Sequence, residues 1–373
     1  MARRRSPTPS DVLVALNGAA LTRASICRLA LDLDDWIEVS DADGDALAAT
    51  LGVPHDAFAR ARTAARAASA LADAERAAAA AVGARLVTLR DDDYPLELRR
   101  LQLPPPVLYC RGTLPAALGA ESAPVAAIVG SRHPSGYGRE AAWLFARELA
   151  RAGVPVVSGF ARGVDAAAHR GALAGGGETV GILGCGIDVP YPADHHPQLA
   201  AEVASQGALI SELPLGASPL RAHFPVRNRL IAALARVTLV VEATLRSGSL
   251  ITARHALDLG REVMALPGRV FDDAAMGPNA LIADGARPAL SPRDLLDELG
   301  VDAATQPAGD VPPPLPGLGA RLWEALPAGA QRTVDELASR CAAAVDETLA
   351  ELLELELAGW ITRLPGPVYC RRA

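Results

Sequence analysis

Six short, uncharged apolar runs, most of them followed by a stretch with helical spacing, constrain this chain more than any other feature. The runs are residues 125–129, 154–157, 179–183, 208–210, 237–241 and 263–266, all rich in Val, Ile, Leu or Ala. A run without polar alternation suits a strand covered on both faces, as strands of a parallel sheet are. Residues 140–151, 165–173, 229–235 and 250–259 carry apolar residues at helical spacing between those runs. Parallel neighbours need a crossover long enough for a helix. The fold class expected is therefore α/β, with a Rossmann-like, mostly parallel sheet core. Ligands on such sheets bind beyond the carboxyl ends of the strands, which directs attention to the residues that follow each run.

The flanks read differently. Residues 1–82 form a small helical N-terminal module, with helices over 11–16, 24–31 and 57–81 and with Gly18 and Gly52 as punctuation. A SAM-like or helix-hairpin-helix unit fits that pattern, and so does a plain helical cap. Residues 91–106 look like a polar, proline-rich connector inside an extended Rossmann-like domain that runs over 83–301. Residues 302–317 have the Pro, Gly and Ala content of a linker. Beyond it, helices over 321–326, 334–341 and 345–358 and a hairpin over 360–364 and 368–370 outline a winged-helix-like domain at 318–373.

Charge narrows the chemistry. The 373 residues carry a formal net charge of −7, so a nucleic-acid site must be a local patch and not the whole surface. All 36 basic residues are arginine, none lysine. A Walker-type phosphate loop and a Schiff-base enzyme both need lysine and are excluded. Arginine remains as the phosphate binder, and its planar fork pairs two oxygens at once. The five cysteines contain no C-x-x-C pair, and His195 and His196 are adjacent loop residues without a third ligand at a fitting spacing, so no metal is expected. The basic residues 1–5 lack the apolar run of a signal peptide, and no stretch is apolar enough to span a bilayer; a soluble, cytoplasmic protein is expected.

The strand ends carry the candidate site. Gly130, Ser131 and Arg132 end the first run, where small residues bring backbone N–H groups close to an anion and Arg132 adds a full charge. Ser158 and Gly159 end the second, followed by Asp165 as a cap for the helix containing His169. The dinucleotide fingerprint G-x-G-x-x-G is absent after the first run, so no cofactor is expected. Gly184-Cys185-Gly186 reads as a turn. No acidic residue occurs between Glu212 and Glu242, whereas Arg221, Arg227, Arg229, Arg236 and Phe224 do. An acid-free stretch with arginines and one aromatic suits a single nucleic-acid strand, with arginine on phosphate and the ring on a base. Phe224 equally suits a core position. Ser247-Gly248-Ser249 offers donors to a phosphate or caps a helix.

Taken in order and spacing, Ile128-Val129-Gly130-Ser131-Arg132, residues 158–165 with His169, Tyr191-Pro192, Ser211-Glu212, residues 224–229, Val241-Glu242-Ala243, Ser247-Gly248-Ser249, Pro267-Gly268 and residues 281–286 resemble the DprA/Smf family (DNA-processing protein A) over about residues 93–300. The resemblance implies a single-stranded DNA-binding protein of natural transformation and recombination. Such a protein protects incoming DNA, loads RecA onto it and dimerises through its Rossmann-like domain, with no catalytic residues. It also implies that Gly130, Ser131, Arg132, Ser158 and Gly159 hold a phosphate and that Phe224 and Arg227 contact base and backbone. Asn228, Arg229, Ser247, Gly248 and Ser249 complete the implied DNA site. Family members often use lysines here, which this chain lacks. A competing class is a nucleotide-hydrolysing enzyme of the lysine-decarboxylase-like phosphoribohydrolase type, in which Glu242 acts as acid or base. Its hallmark P-G-G-x-G-T-x-x-E stretch is absent.

Residues 318–373 hold six arginines against eight acids, the wrong sign for a DNA-recognition helix. Deleting this domain is expected to leave single-strand affinity within about tenfold, or roughly 1.4 kcal/mol. A much larger loss in a folded truncation, measured by anisotropy, contradicts that reading.

Overall fold

The computed structural model describes residues 6–31, 44–193, 196–302, 317–327, 330–357, 360–364 and 366–371. These fall into two compact units, one within Met1–Thr305 and one within Gln306–Ala373.

The six apolar runs all become strands: β3 (Ala126–Val129), β4 (Val156–Ser158), β5 (Thr179–Ile182), β6 (Gly207–Ser211), β7 (Val237–Val240) and β8 (Glu262–Ala265). They are joined by β1 (Arg85–Thr88), β2 (Val107–Gly112) and β9 (Arg287–Pro288) in one sheet of order β1-β2-β6-β5-β4-β3-β7-β8-β9. Strands β3 to β9 pair in parallel where they adjoin, while β2 runs antiparallel to both β1 and β6. From β3 the chain builds outward through β4, β5 and β6, then returns to the other flank of β3 with β7 and β8. The strand order thus reverses between β3 and β7, where open parallel sheets form a crevice.

Burial on both faces explains the missing alternation. Ala126 and Ile128 of β3 pack with Phe145 and Leu149 of α7 (Gly136–Arg151) and with Val164 and Ala168 of α8 (Val164–Ala174). Their neighbours Ala127 and Val129 face the other layer, against Leu230 and Leu234 of α10 (His223–Leu234) and Ala253 of α11 (Gly248–Asp258). Successive side chains point to opposite faces, and here both faces are dry.

The helical residues ahead of the sheet form α1 (Pro9–Asn17), α2 (Arg23–Leu31), α3 (Gly44–Thr50), α4 (His55–Arg66) and α5 (Ala68–Ala81). Leu13, Leu16, Leu29 and Phe58 share one core with Tyr109 of β2 and Leu209 of β6. This module therefore packs onto the sheet. Asp11 of α1, wholly buried, caps its own helix and pairs with Arg76 of α5 at 2.6 Å.

Several expectations need correction. Residues 91–106 are no simple connector: α6 (Leu96–Arg99) lies within them, and buried Tyr94 donates to the Pro105 carbonyl at 2.7 Å between the paired strands β1 and β2. Helix α10 begins at His223 and not at 229, because Pro225 sits in the first turn, where a helix needs no N–H. Asp165 does not cap α8. Gly163 does, at φ 79°, and a Cβ there would come within 2.3 Å of the Ser131 carbonyl. His196 opens α9 (His196–Ser205), whereas His195 lies outside the described residues, as do residues 1–5 and the linker stretch 303–316.

Helices α12 (Met276–Ala283) and α13 (Pro292–Leu299) end the first unit, and the second carries α14 (Gly317–Ala325), α15 (Val334–Cys341) and α16 (Val345–Leu357) around Leu322, Leu337 and Leu352. A three-stranded antiparallel sheet, in order β10 (Gln331–Thr333), β12 (Val368–Arg371) and β11 (Ile361–Leu364), completes a winged-helix domain. Among the described residues no helix is long and apolar enough to cross a membrane.

Candidate nucleic-acid interface

A cleft of about 740 Å³ opens beyond the carboxyl ends of the parallel strands, around the point where the strand order reverses. Residues following β3, β4, β5 and β7 line it, together with the first turns of α10.

The β3 end supplies Gly130, Ser131 and Arg132. A Cβ on Gly130 would lie 2.7 Å from Val164 and 3.0 Å from the Glu242 carbonyl, so only glycine lets this loop lie down. Ser131 Oγ accepts from the His133 N–H at 3.0 Å. Arg132 is exposed, with its guanidinium carbon 5.1 Å from the centre of the Phe224 ring. Further on, Ser135 caps α7 by accepting from Gly138 N–H at 3.0 Å. The buried Glu242 carboxylate accepts from Ser135 N–H at 2.8 Å and from its hydroxyl at 2.5 Å.

The floor is built from β4, β5 and α10. Arg227 is 4% exposed, yet charged. Its Nη1 donates to the carbonyls of Gly159 and Ile182, and its Nε donates to Asn228 Oδ1 at 3.2 Å. Burial pulls Arg227 down to about 10, with Asp165 opposing that fall, so it remains a cation at neutral pH. Burial likewise pushes the Asp165 carboxyl up, and Arg227 is the largest influence holding it down. Asp165 also accepts from Ala161 N–H at 3.2 Å. Asn228 Nδ2 donates to the Gly248 carbonyl at 3.0 Å, linking α10 to the start of α11. There Ser247 Oγ accepts from Ser249 N–H at 3.3 Å, and the two hydroxyls lie 2.7 Å apart.

Nine of the twelve residues singled out from sequence line this cleft: Gly130, Ser131, Arg132, Phe224, Arg227, Asn228, Ser247, Gly248 and Ser249. The other three do not. Ser158 is wholly buried and donates to the Ile128 carbonyl at 2.6 Å. Gly159 lies beneath the Arg227 and Asp165 side chains, where a Cβ would meet Asp165 Oδ2 at 2.6 Å. Arg229 points away, to the Leu103 carbonyl at 3.0 Å and to Glu212, which also pairs with Arg23 of α2 at 2.7 Å. Phe224, left open between core and site, is half-buried with its ring at the cleft wall. Gly184 is no mere turn residue. A Cβ there would come within 2.8 Å of that ring.

Among the other lining residues are an aromatic and an arginine that sequence reasoning did not assign to the site. Tyr191 tilts against Phe224 at 48°, ring centres 5.6 Å apart. Its signal was the Tyr-Pro pair in the long connection between β5 and β6. Arg221, exposed at the rim, was visible in the acid-free stretch without being assigned. Among the described residues no cluster of His, Cys, Asp and Glu is placed to hold a metal.

The sequence model of the family described as DNA recombination-mediator protein A matches residues 85–300, and that of the DprA winged helix domain matches residues 306–367. Protein Smf of Escherichia coli (strain K12) is 40% identical over 77% of this chain and 78% of its own length. DNA processing protein DprA of Bacillus subtilis (strain 168) is 37% identical over 58% of this chain and 72% of its own. The X-ray structure of DNA processing protein A from Streptococcus pneumoniae superposes with a TM-score of 0.67, at 32% identity over 79% of this chain and 99% of that one. DNA processing protein A from Helicobacter pylori, whose structure is described for a unique single-stranded DNA binding mode, gives 0.51 at 32% identity over 57% of this chain and 95% of that one.

The Asp165 carboxyl is buried beside the Arg227 guanidinium, both flanking Gly159, and a buried charge deprived of nearby compensation costs several kcal/mol. Asp165→Asn should therefore lower unfolding free energy by several kcal/mol, whereas Arg132→Met, at an exposed position, should change it by about 0.5 kcal/mol or less. Urea titrations of the two variants check this; equal losses contradict a buried supporting pair.

Proposed function

Because this chain belongs to the DNA recombination-mediator protein A (DprA/Smf) family, we propose that its cleft binds single-stranded DNA and that the protein serves recombination in the cytoplasm. In that role it shields the strand and passes it to a RecA recombinase, acting as a dimer through its Rossmann-like unit. The observation that carries the reading is the pairing, at the strand ends, of exposed Arg132 with the half-buried ring of Phe224. A cation beside an aromatic wall meets the two repeating parts of a nucleic-acid strand, phosphate and base. The Helicobacter pylori relative adds support, since its structure is described for single-stranded DNA binding.

In this reading a phosphate sits between the loop of Gly130, Ser131 and Arg132 and the start of α11 at Ser247, Gly248 and Ser249. The N-terminal end of that helix adds partial positive charge. Arg221 at the rim takes a neighbouring phosphate. Phe224 offers its ring to a base. Arg227 and Asn228 brace the wall from below, and Ser158, Gly159 and Arg229 act at further remove, by holding the strand ends and α10. The protein works by binding and not by turnover. Both carboxylate oxygens of Glu242, the group a phosphoribohydrolase-type enzyme would use, are engaged by Ser135.

A narrow cleft with few cations suits one flexible strand better than a duplex. Oligothymidylate should bind at least tenfold more tightly than a duplex of equal length, a difference of about 1.4 kcal/mol. Its affinity should fall linearly in log–log coordinates as salt rises, because each phosphate contact releases counterions. Equal affinities at moderate salt, in a titration by anisotropy, refute the assignment.

A further inference from the structure

The Phe224 ring is closely surrounded by side chains and backbone of its own chain. Gly184 lies against it so closely that a Cβ would come within 2.8 Å of Cδ1. Tyr191 tilts onto it with ring centres 5.6 Å apart. The guanidinium carbons of Arg227 and Arg132 lie over it, 5.9 Å and 5.1 Å from its centre. Three of these neighbours are anchored. Gly184 contributes backbone, Tyr191 is half-buried and packs against the core shared by the helical module and the sheet, and Arg227 is tied to the Gly159 and Ile182 carbonyls. Arg132 is the exception. It is exposed, and its guanidinium makes no hydrogen bond or ion pair among the described residues. Among the described residues its guanidinium lies against the ring.

Resting on the single-strand reading, we propose that Arg132 stands in for a base: in the free cleft its guanidinium covers the part of Phe224 that a base takes in the complex. A planar guanidinium is a natural substitute, because it stacks on aromatic faces and shields them from water. It leaves when a phosphate draws it off, and the vacated ring then needs a base. The ligand class follows. The cleft takes a unit that brings base and phosphate together, a nucleotide within a strand. A polyanion without bases draws Arg132 off and leaves the ring uncovered. A base without phosphate has to displace Arg132 and gives its charge no new partner. Arg132 and Phe224 thus act together as a specificity-determining pair.

The sign of a double-mutant cycle tests this. Each single variant loses a contact in the complex but also removes the Arg132–Phe224 contact that binding must break, so each loss is discounted. The double variant loses both contacts and receives that discount only once. The Arg132→Ala/Phe224→Ala protein should therefore bind oligothymidylate more weakly than the product of the two single losses, by about threefold, the size of an exposed cation–π contact. A product equal to the double loss overturns the proposal. A double loss smaller than the product does so too, since it places the coupling in the complex. A phosphodiester oligomer of equal length built from tetrahydrofuran abasic units should bind the parent at least about tenfold more weakly than oligothymidylate, as loss of base stacking requires. Equal binding overturns the ligand class.

A measurement without DNA keeps the covering testable by itself. In a Phe224→Trp protein with native melting behaviour, adding Arg132→Ala should raise acrylamide quenching of that tryptophan, read against the Phe224-containing parent's tryptophan background. Unchanged quenching overturns the covering. If the parent binds no single strand at all, the single-strand reading fails together with the ligand class, and the quenching result still shows whether Arg132 covers the ring.

Discussion

A charged guanidinium buried beneath the strand ends organises the cleft. Arg227 reaches from α10 to the Gly159 carbonyl after β4 and the Ile182 carbonyl at the end of β5, with the Asp165 carboxyl on the other side of Gly159. Burying a charge costs several kcal/mol, recovered only where hydrogen bonds are nearly complete. That condition sets the local sequence. Gly159 has no side chain because a Cβ would meet Asp165 Oδ2 at 2.6 Å and Arg227 Nη2 at 2.8 Å. Asn228 receives the Nε donor and relays the connection to α11. With Arg227 fixed, α10 can present Phe224 at the wall and nowhere else.

The same arrangement accounts for how an acidic chain exposes a cationic patch at its cleft. Carboxylates near the cleft are already committed. Asp165 accepts from Ala161 N–H beside Arg227, Glu242 receives Ser135, and Glu212 is shared by Arg23 and Arg229. What remains at the surface of the cleft is cationic, Arg132 and Arg221. The net charge of −7 is carried elsewhere, including the acid-rich α16 of the winged-helix unit. Local neutralisation, and not overall composition, makes the patch.

Much of this was legible in the sequence. The six central strands appear within two residues of their expected bounds, because strands dry on both faces leave unbroken apolar runs. The edge pair β1 and β2 was hidden. Arg85 and Arg111 break their apolar character, and the prolines at 104–106 suggest a loop. The residue types that line the cleft were legible, but their depth was not. With α10 begun at 229, nothing indicated that Phe224, Arg227 and Asn228 share one helical face while Arg229 turns to the opposite side. Begun at His223, the i, i+3, i+4 spacing shows it at once. Long-range pairings such as Glu212 with Arg23 have no local signal at all.

The central claim is that a single strand lies against Phe224 in the switch-point cleft. Photocrosslinking with an iodouracil-substituted oligonucleotide, followed by tryptic mapping, addresses it directly, because trypsin cuts after Arg221 and Arg227 and isolates residues 222–227 around the ring. The account predicts the dominant crosslink within that peptide, at Phe224. Crosslinks confined to other segments, such as the winged-helix residues 317–371, with 222–227 unmodified, would contradict it.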